Sequence, residues 1–269
     1  MRNNGNAPRI KGPLMITVVD GCAYGRAGMV EALRQTLSSV TGRVRVTGFA
    51  SLEAFLQACL AAERARMHAL HKGGLDNDAP RAVMSSPEMG CRQVGLVIRL
   101  PSVPQQALSM LLQLGDFARH LATTVRVTVL SPYAFDGVFR VLERLRIAHP
   151  IQIVAARLSV GALCDALMPP RVLDVRSLDR WLGQSAITPA SALLTQLELW
   201  ALQQSVLAVP MYKQSRRRAV VPKTLYGQRA SALRKLGAPH LNALLRWFSE
   251  PGRSAWRHAK RYRVDVREA

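Results

Sequence analysis

The run from Lys223 to Gly237 sets Lys223, Gln228, Arg229, Arg234 and Lys235 around an apolar stripe of Leu225, Ala232, Leu233 and Leu236. The stripe follows the 3.6-residue period of an amphipathic helix. Cations at that spacing do the chemistry of polyanion binding, neutralising phosphates and fixing register. Lys223, Tyr226, Gly227 and Ala230 fall opposite the stripe, so that face is the one left for a ligand. Lys235 lies in the last turn, and Gly237 follows as a stop. A glycine within the helix at 227 costs about 0.8–1 kcal/mol relative to Ala. Close approach of the backbone to a ligand would offset that cost.

Other chemistry is sparse. There are no paired carboxylates, no nucleophile–base set and no Walker loop with convincing spacing. The stretch Gly21-Cys22-Ala23-Tyr24-Gly25-Arg26-Ala27-Gly28 follows a strand, but it lacks the glycine spacing of a nucleotide loop. Cys22, Cys59, Cys91 and Cys164 are dispersed, as four reduced thiols would be. His68 and His71 stand one helical turn apart, with no second cluster to make a metal site. The expectation is a protein that is not an enzyme, with no catalytic residues, metal, cofactor or small-molecule substrate.

Charge gives the same direction. The chain has 269 residues and a formal net charge of +20. From Thr188 to the end there are 15 Lys/Arg against 4 Asp/Glu, hence +11 on 82 residues. The positive charge is therefore densest where the basic helix lies, which favours nucleic acid as partner. The start of the chain lacks the pattern of a signal peptide, and no apolar run approaches a membrane span. A cytoplasmic protein without membrane association is expected.

The elements that must position this helix are legible. A polar tail, 1–13, precedes alternating β-rich and helical runs. Strands are expected at Leu14–Asp20, Arg43–Phe49, Val94–Leu100, Val125–Ser131 and Ile151–Ala156. Helices are expected at Arg26–Ser38, Leu52–Leu70, Gln105–Ala122, Phe135–Ala148 and Val160–Met168. Five strand–helix units make a doubly wound α/β domain over 14–168, with a surface loop over 73–92. Pro169-Pro170 opens a linker over 169–187. An all-α domain follows over 188–250, with helices at Ser191–Val206, Met211–Ala219, Pro222–Leu236 and Pro239–Phe248. A basic tail, 251–269, ends the chain, with Trp256 and Tyr262 interspersed.

The C-terminal part resembles the LuxR-type helix-turn-helix of response regulators in the NarL/FixJ and Rcs groups. The resemblance rests on Leu194, Thr195 and Glu198, then Lys223-Thr224-Leu225, then Lys235-Leu236-Gly237, aligned without a gap. It implies that the basic helix enters the DNA major groove. Lys223, Gln228, Arg229, Arg234 and Lys235 become candidates for phosphate contacts, with Thr224 and Gly227 beside them. Tyr226 becomes the candidate base-edge contact. The preceding scaffold helix departs from the family, which has Ile, Ala and Leu where this chain has Gln214, Ser215 and Arg218. Either the run through Lys213, Arg216 and Arg217 lies against phosphates, or the register shifts, or the domain packs poorly.

Five β/α units ahead of such a domain resemble a flavodoxin-like receiver. In that family two acids hold Mg²⁺, an Asp accepts the phosphoryl group, and a hydroxyl and a lysine sense it. Here Asp20 matches one acid, but Gly21 stands at its partner's position. Arg99 or Leu100 stands at the acceptor position, Ser131 at the hydroxyl and Ala156 at the lysine. Without a carboxylate nucleophile the transfer has no acceptor. A guanidinium at Arg99 could pair with Asp20 in place of a metal. The resemblance thus implies an atypical, phosphorylation-independent response regulator with a degenerate receiver. It would bind double-stranded DNA as a dimer with itself or with another response regulator. The alternative is an interaction module that captures another transcription regulator without specific DNA binding of its own.

Overall fold

The computed structural model describes residues 14–41, 44–72, 92–118, 125–145, 147, 151–157, 161 and 190–248. Strands β1 (Leu14–Val19), β2 (Val44–Phe49), β3 (Arg92–Arg99), β4 (Arg126–Ser131) and β5 (Ile151–Ala155) form one sheet, in the order β2-β1-β3-β4-β5. β1 pairs with β2 in parallel, Ile16 opposite Val46, and β4 pairs with β5 in parallel, Val129 opposite Ile153. This is a doubly wound order. Every strand lies within two residues of its sequence-expected bounds. β4 is buried from Val127 to Ser131, as a parallel strand covered on both faces should be.

The chain divides within β3 into two compact units, Met1–Leu96 and Val97–Ala269. In the first, α1 (Ala23–Thr41) packs on β1 and β2, and α2 (Leu52–Lys72) packs on β2. Phe55 of α2 meets Phe49 of β2, with ring centroids 5.3 Å apart. Arg34 donates to the Val46 carbonyl at 3.1 Å, tying α1 to the strand.

The second unit joins the rest of the sheet to the C-terminal helices. α3 (Pro104–Phe117) starts with proline at a position where its missing N–H costs nothing. α4 (Phe135–Arg144) buries Gly137, Val138, Val141 and Leu142. Its pattern suggested a helix to Ala148. Instead, Leu145 turns extended, and its side chain is buried against Gly115 of α3. Burying that leucine outweighs extending the helix.

Among the described residues, four α-helices follow from Gln196 on: α5 (Gln196–Val206), α6 (Met211–Arg218), α7 (Pro222–Leu236) and α8 (Leu241–Arg246). α5 begins later than its pattern suggested because Thr195 caps it. The Thr195 hydroxyl accepts from the Glu198 amide, and the Glu198 carboxylate accepts from the Thr195 amide. That reciprocal pair is a capping box. α5 packs against α3, α6 and α7, while α7 also meets α4, and α8 meets α3. Leu194 donates its amide to the Arg144 carbonyl at 3.1 Å, and the Gln196 side chain donates to Asp116 at 2.9 Å. The helical part is thus fastened to α3 and to the end of α4. The 1–13 and 251–269 tails and the 169–187 linker lie outside the described residues. So do the 73–92 loop up to Cys91 and the Val160–Met168 helix apart from Gly161. No described helix is long and apolar enough to cross a membrane.

Candidate nucleic-acid interface

α7 is seated by the stripe that its sequence displays. Leu225, Ala232, Leu233 and Leu236 are buried, and Lys223, Thr224, Tyr226, Gly227 and Ala230 are exposed. A Cβ added at Gly227 would meet nothing within 4 Å, so the backbone there is open to a ligand. α6 packs on α7, and Ala219 turns the chain between them in the left-handed region, at φ 52°. A non-glycine residue held there stores about 1 kcal/mol or more of strain. Gly237 ends α7 in the same region at φ 75°, which glycine adopts freely.

α6 seats a side chain in the core despite its polar sequence. Gln214 takes the buried position, only 1% exposed, and its amide nitrogen donates to the Val209 carbonyl at 2.7 Å. Its carbonyl oxygen is buried without a hydrogen-bond partner among the described residues, a standing cost at this site. The Ser215 hydroxyl donates to the Val220 carbonyl. Arg218 lays its guanidinium over the Trp200 ring of α5, 4.7 Å from the centroid. The helix is therefore held by a side-chain amide, a hydroxyl and a cation–π contact.

The basic residues separate by what holds them. The side chains of Lys213, Arg216 and Lys223 are exposed and make no hydrogen bond or ion pair among the described residues. Arg217 donates to Gln204 at 3.3 Å, and Arg234 to Ser231 at 3.4 Å. Arg229 lies over the Tyr226 ring, 5.1 Å from its centroid. Gln228 has its side-chain oxygen buried and without a partner among the described residues, so it is turned inward. Lys235 differs most from its expected role. Its amine donates to Glu198 at 2.7 Å and to the Leu193 carbonyl at 3.0 Å. In this structure it is a clamp inside the helical part.

Glu198 is the centre of that clamp. Ser231 donates to its other oxygen at 2.7 Å, and the Thr195 amide to the first at 2.8 Å. Burial favours the neutral acid. The Lys235 ammonium, the Thr195 backbone amide and the Ser231 hydroxyl outweigh it and hold the carboxyl at about 2. A carboxylate with three donors around it stays ionised across the physiological range.

The receiver-like positions lie at the carboxyl ends of the strands. Asp20 follows β1 and is buried, and its carboxylate accepts from the Cys22 amide at 2.8 Å. Gly21 beside it is exposed. Arg99 ends β3, half-buried. In the second unit Ser131 and Ala156 are brought together, the Ala156 amide donating to the Ser131 carbonyl at 2.9 Å. The Ser131 hydroxyl accepts from the Tyr133 amide at 3.0 Å and donates to the Tyr133 carbonyl at 3.2 Å. It works as a staple for the loop after β4. Among the described residues no group of three His, Cys, Asp or Glu side chains is placed to hold a metal ion.

Not every residue that shapes the site is legible in the sequence. Ser231 and the Trp200 ring carry no local signal, because their partners lie far along the chain. The Thr195–Glu198 spacing did carry one, the capping-box pattern.

No protein-family model and no curated protein sequence matches the chain. Among solved structures it is similar to RcsB from Salmonella enterica serovar Typhimurium bound to promoter rprA in the presence of the phosphomimetic BeF3−. The identity is 16%, over 88% of this chain and 98% of that one, with a TM-score of 0.42. A two-component response regulator RcsB–DNA complex matches at 18% identity over 89% and 99%, with a TM-score of 0.30. Full-length FixJ from B. japonicum matches at 16% over 88% and 95%, with a TM-score of 0.30. At such scores these likenesses neither assign the chain to a family nor carry an argument about its function.

Proposed function

We propose that the chain is a DNA-binding transcription regulator, organised as a degenerate receiver followed by a helix-turn-helix and working without aspartyl phosphorylation. The observation that supports it is the face of α7. Lys223, Thr224, Tyr226 and Gly227 stand exposed together, while the opposite stripe is buried. A recognition helix needs that division, with one face on the core and the other free for the major groove. Lys213 and Arg216 on α6 add uncommitted cations to the phosphate-binding set. The protein would act in the cytoplasm as a homodimer or with another response regulator, placing two such faces on two half-sites. The domain boundaries in this reading are 14–168 and 188–250, with 169–187 as the link.

Loss of phosphorylation is supported by the residues at the strand ends. Arg99, Leu100 and Pro101 offer no nucleophilic carboxylate after β3, and Ala156 and Arg157 offer no lysine after β5. The Ser131 hydroxyl is engaged by the Tyr133 backbone.

A second reading, capture of another regulator without operator recognition, is favoured by the engagement of Arg217, Arg218 and Lys235 with partners within the chain. Anisotropy titration of the full chain on a labelled mixed-sequence duplex at several salt concentrations separates the two. DNA binding predicts tight association at low salt that weakens linearly in log–log form, by about 0.9 per neutralised phosphate. No association at low salt would leave the interaction module as the better reading.

A further inference from the structure

Arg229 and Tyr226 exchange the roles that sequence position suggests. Tyr226 stands on the exposed strip of α7, 50% exposed, and Arg229 lies one turn later, half-buried. The guanidinium rests over the Tyr226 ring, 5.1 Å from its centroid. Its nitrogens make no hydrogen bond or ion pair among the described residues.

The other basic residues here fall into two kinds. Arg217, Arg234 and Lys235 donate to partners within the chain. Lys213, Arg216 and Lys223 are exposed and unheld, as suits phosphates. Arg229 and Arg218 both combine a plane set by an aromatic face with donors left open, but only Arg229 of the two lies on α7, against the exposed strip that Tyr226 belongs to. A guanidinium held in this way keeps its fork of N–H donors and loses less freedom on binding than one swinging in water. The planar fork matches an acceptor pair, and in duplex DNA the major-groove edge of guanine offers O6 and N7 side by side. Gly227, with open space at its missing side chain, leaves room for the base edge to approach beside the stacked pair.

We propose that Arg229 reads a guanine in the major groove and that Tyr226 is its positioning residue. Their aromatic–guanidinium contact sets the angle of the fork. The inference rests on the DNA-binding reading above and names the base that reading left open. Lysine at 229 keeps the charge but lacks the fork, so Arg229→Lys separates base recognition from phosphate attraction. Tyr226→Phe keeps the ring that carries the guanidinium, whereas Tyr226→Ala removes it.

Selection of the full chain from a randomised duplex library, followed by affinity measurements on the selected duplex and its single-base variants, tests this. The wild type is expected to require a guanine at one position of each half-site. Replacing that guanine should weaken the wild type roughly 5- to 150-fold, the range expected of one bidentate contact. Arg229→Lys should lose this preference with an unchanged salt slope. Tyr226→Phe should keep it, and Tyr226→Ala should lose most of it. An Arg229→Lys variant that retains the guanine preference overturns the assignment. So does an Arg229→Ala variant that weakens all duplexes equally while lowering the salt slope, which marks a phosphate contact. Duplex retention by the wild type with no Arg229-dependent base refutes this inference alone. No retention even at low salt refutes the DNA-binding reading and this inference together.

Discussion

The Tyr133 ring meets the Phe248 ring edge to face, with centroids 5.4 Å apart and planes at 82°. Tyr133 sits in the loop after β4, and Phe248 just beyond α8, so the contact joins the α/β part of the second unit to its helical part. Both rings are buried, and the Tyr133 hydroxyl donates to the Pro101 carbonyl at 2.7 Å. Beside them Gly137 lies against the backbone of Trp247, and Arg140 lies over the Trp247 ring at 5.4 Å. The helical part is thus seated by aromatic packing at a point distant in sequence from α7.

Removing either ring should unseat it. Phe248→Ala is expected to cost about 3–5 kcal/mol, as for other buried phenylalanines. Tyr133→Phe should cost only about 1 kcal/mol, because it removes a hydrogen bond and keeps the ring. Urea unfolding of the full chain measures both, and equal losses would show that the rings do not carry the seam.

Two glycines should respond to alanine with opposite signs. A Cβ on Gly137 would stand 2.5 Å from the Trp247 carbonyl oxygen and 2.9 Å from its Cβ. Overpacking there should cost about 1–3 kcal/mol, more than the roughly 0.8–1 kcal/mol by which Ala exceeds Gly in a helix. Gly227 has nothing within 4 Å, so Gly227→Ala should stabilise α7 by about that helix increment. Thermal unfolding checks the pair, and a stabilised Gly137→Ala would mean the seam is open in solution.

The Glu198 clamp should make stability depend on pH in acid. Its carboxyl is held at about 2, below the ordinary carboxylate value of about 4.3. The contribution is therefore complete above that ordinary value and is lost as pH falls toward 2. Glu198→Gln should lower stability at neutral pH by roughly 3 kcal/mol, by analogy with other broken, largely buried pairs. It should also flatten this part of the acid limb. Unfolding midpoints measured across the acid range would reveal an unchanged limb if the clamp is absent.

Lys223 and Arg218 should separate in DNA binding. Lys223→Ala is expected to lower the salt slope by about 1. Arg218→Ala should leave the slope alone and cost about 0.5–1 kcal/mol of stability, through loss of the contact with Trp200. A fall in slope at Arg218 would place that guanidinium on DNA instead.

Acetyl phosphate with Mg²⁺ should leave the protein unmodified, since no carboxylate follows β3. Intact-mass measurement checks this, and a Mg²⁺-dependent phosphoryl adduct would restore a working receiver.

By itself the sequence determined the strands, the order of elements and the buried stripe of α7. These follow from local patterning: short β-branched runs buried on both faces, and leucines at a helical period. It also displayed the lack of a carboxylate at Arg99–Leu100, because that is a matter of residue type at a strand end. Only the tertiary structure decided where the long cationic side chains go. Lys235 and Glu198 are distant in sequence, as are Arg218 and Trp200, so no local spacing announces either pair. The same holds for Gly137, whose missing side chain is meaningful only once Trp247 lies against it. Charge can be counted along a chain, but a flexible lysine or arginine reaches several partners, and packing selects which one it meets.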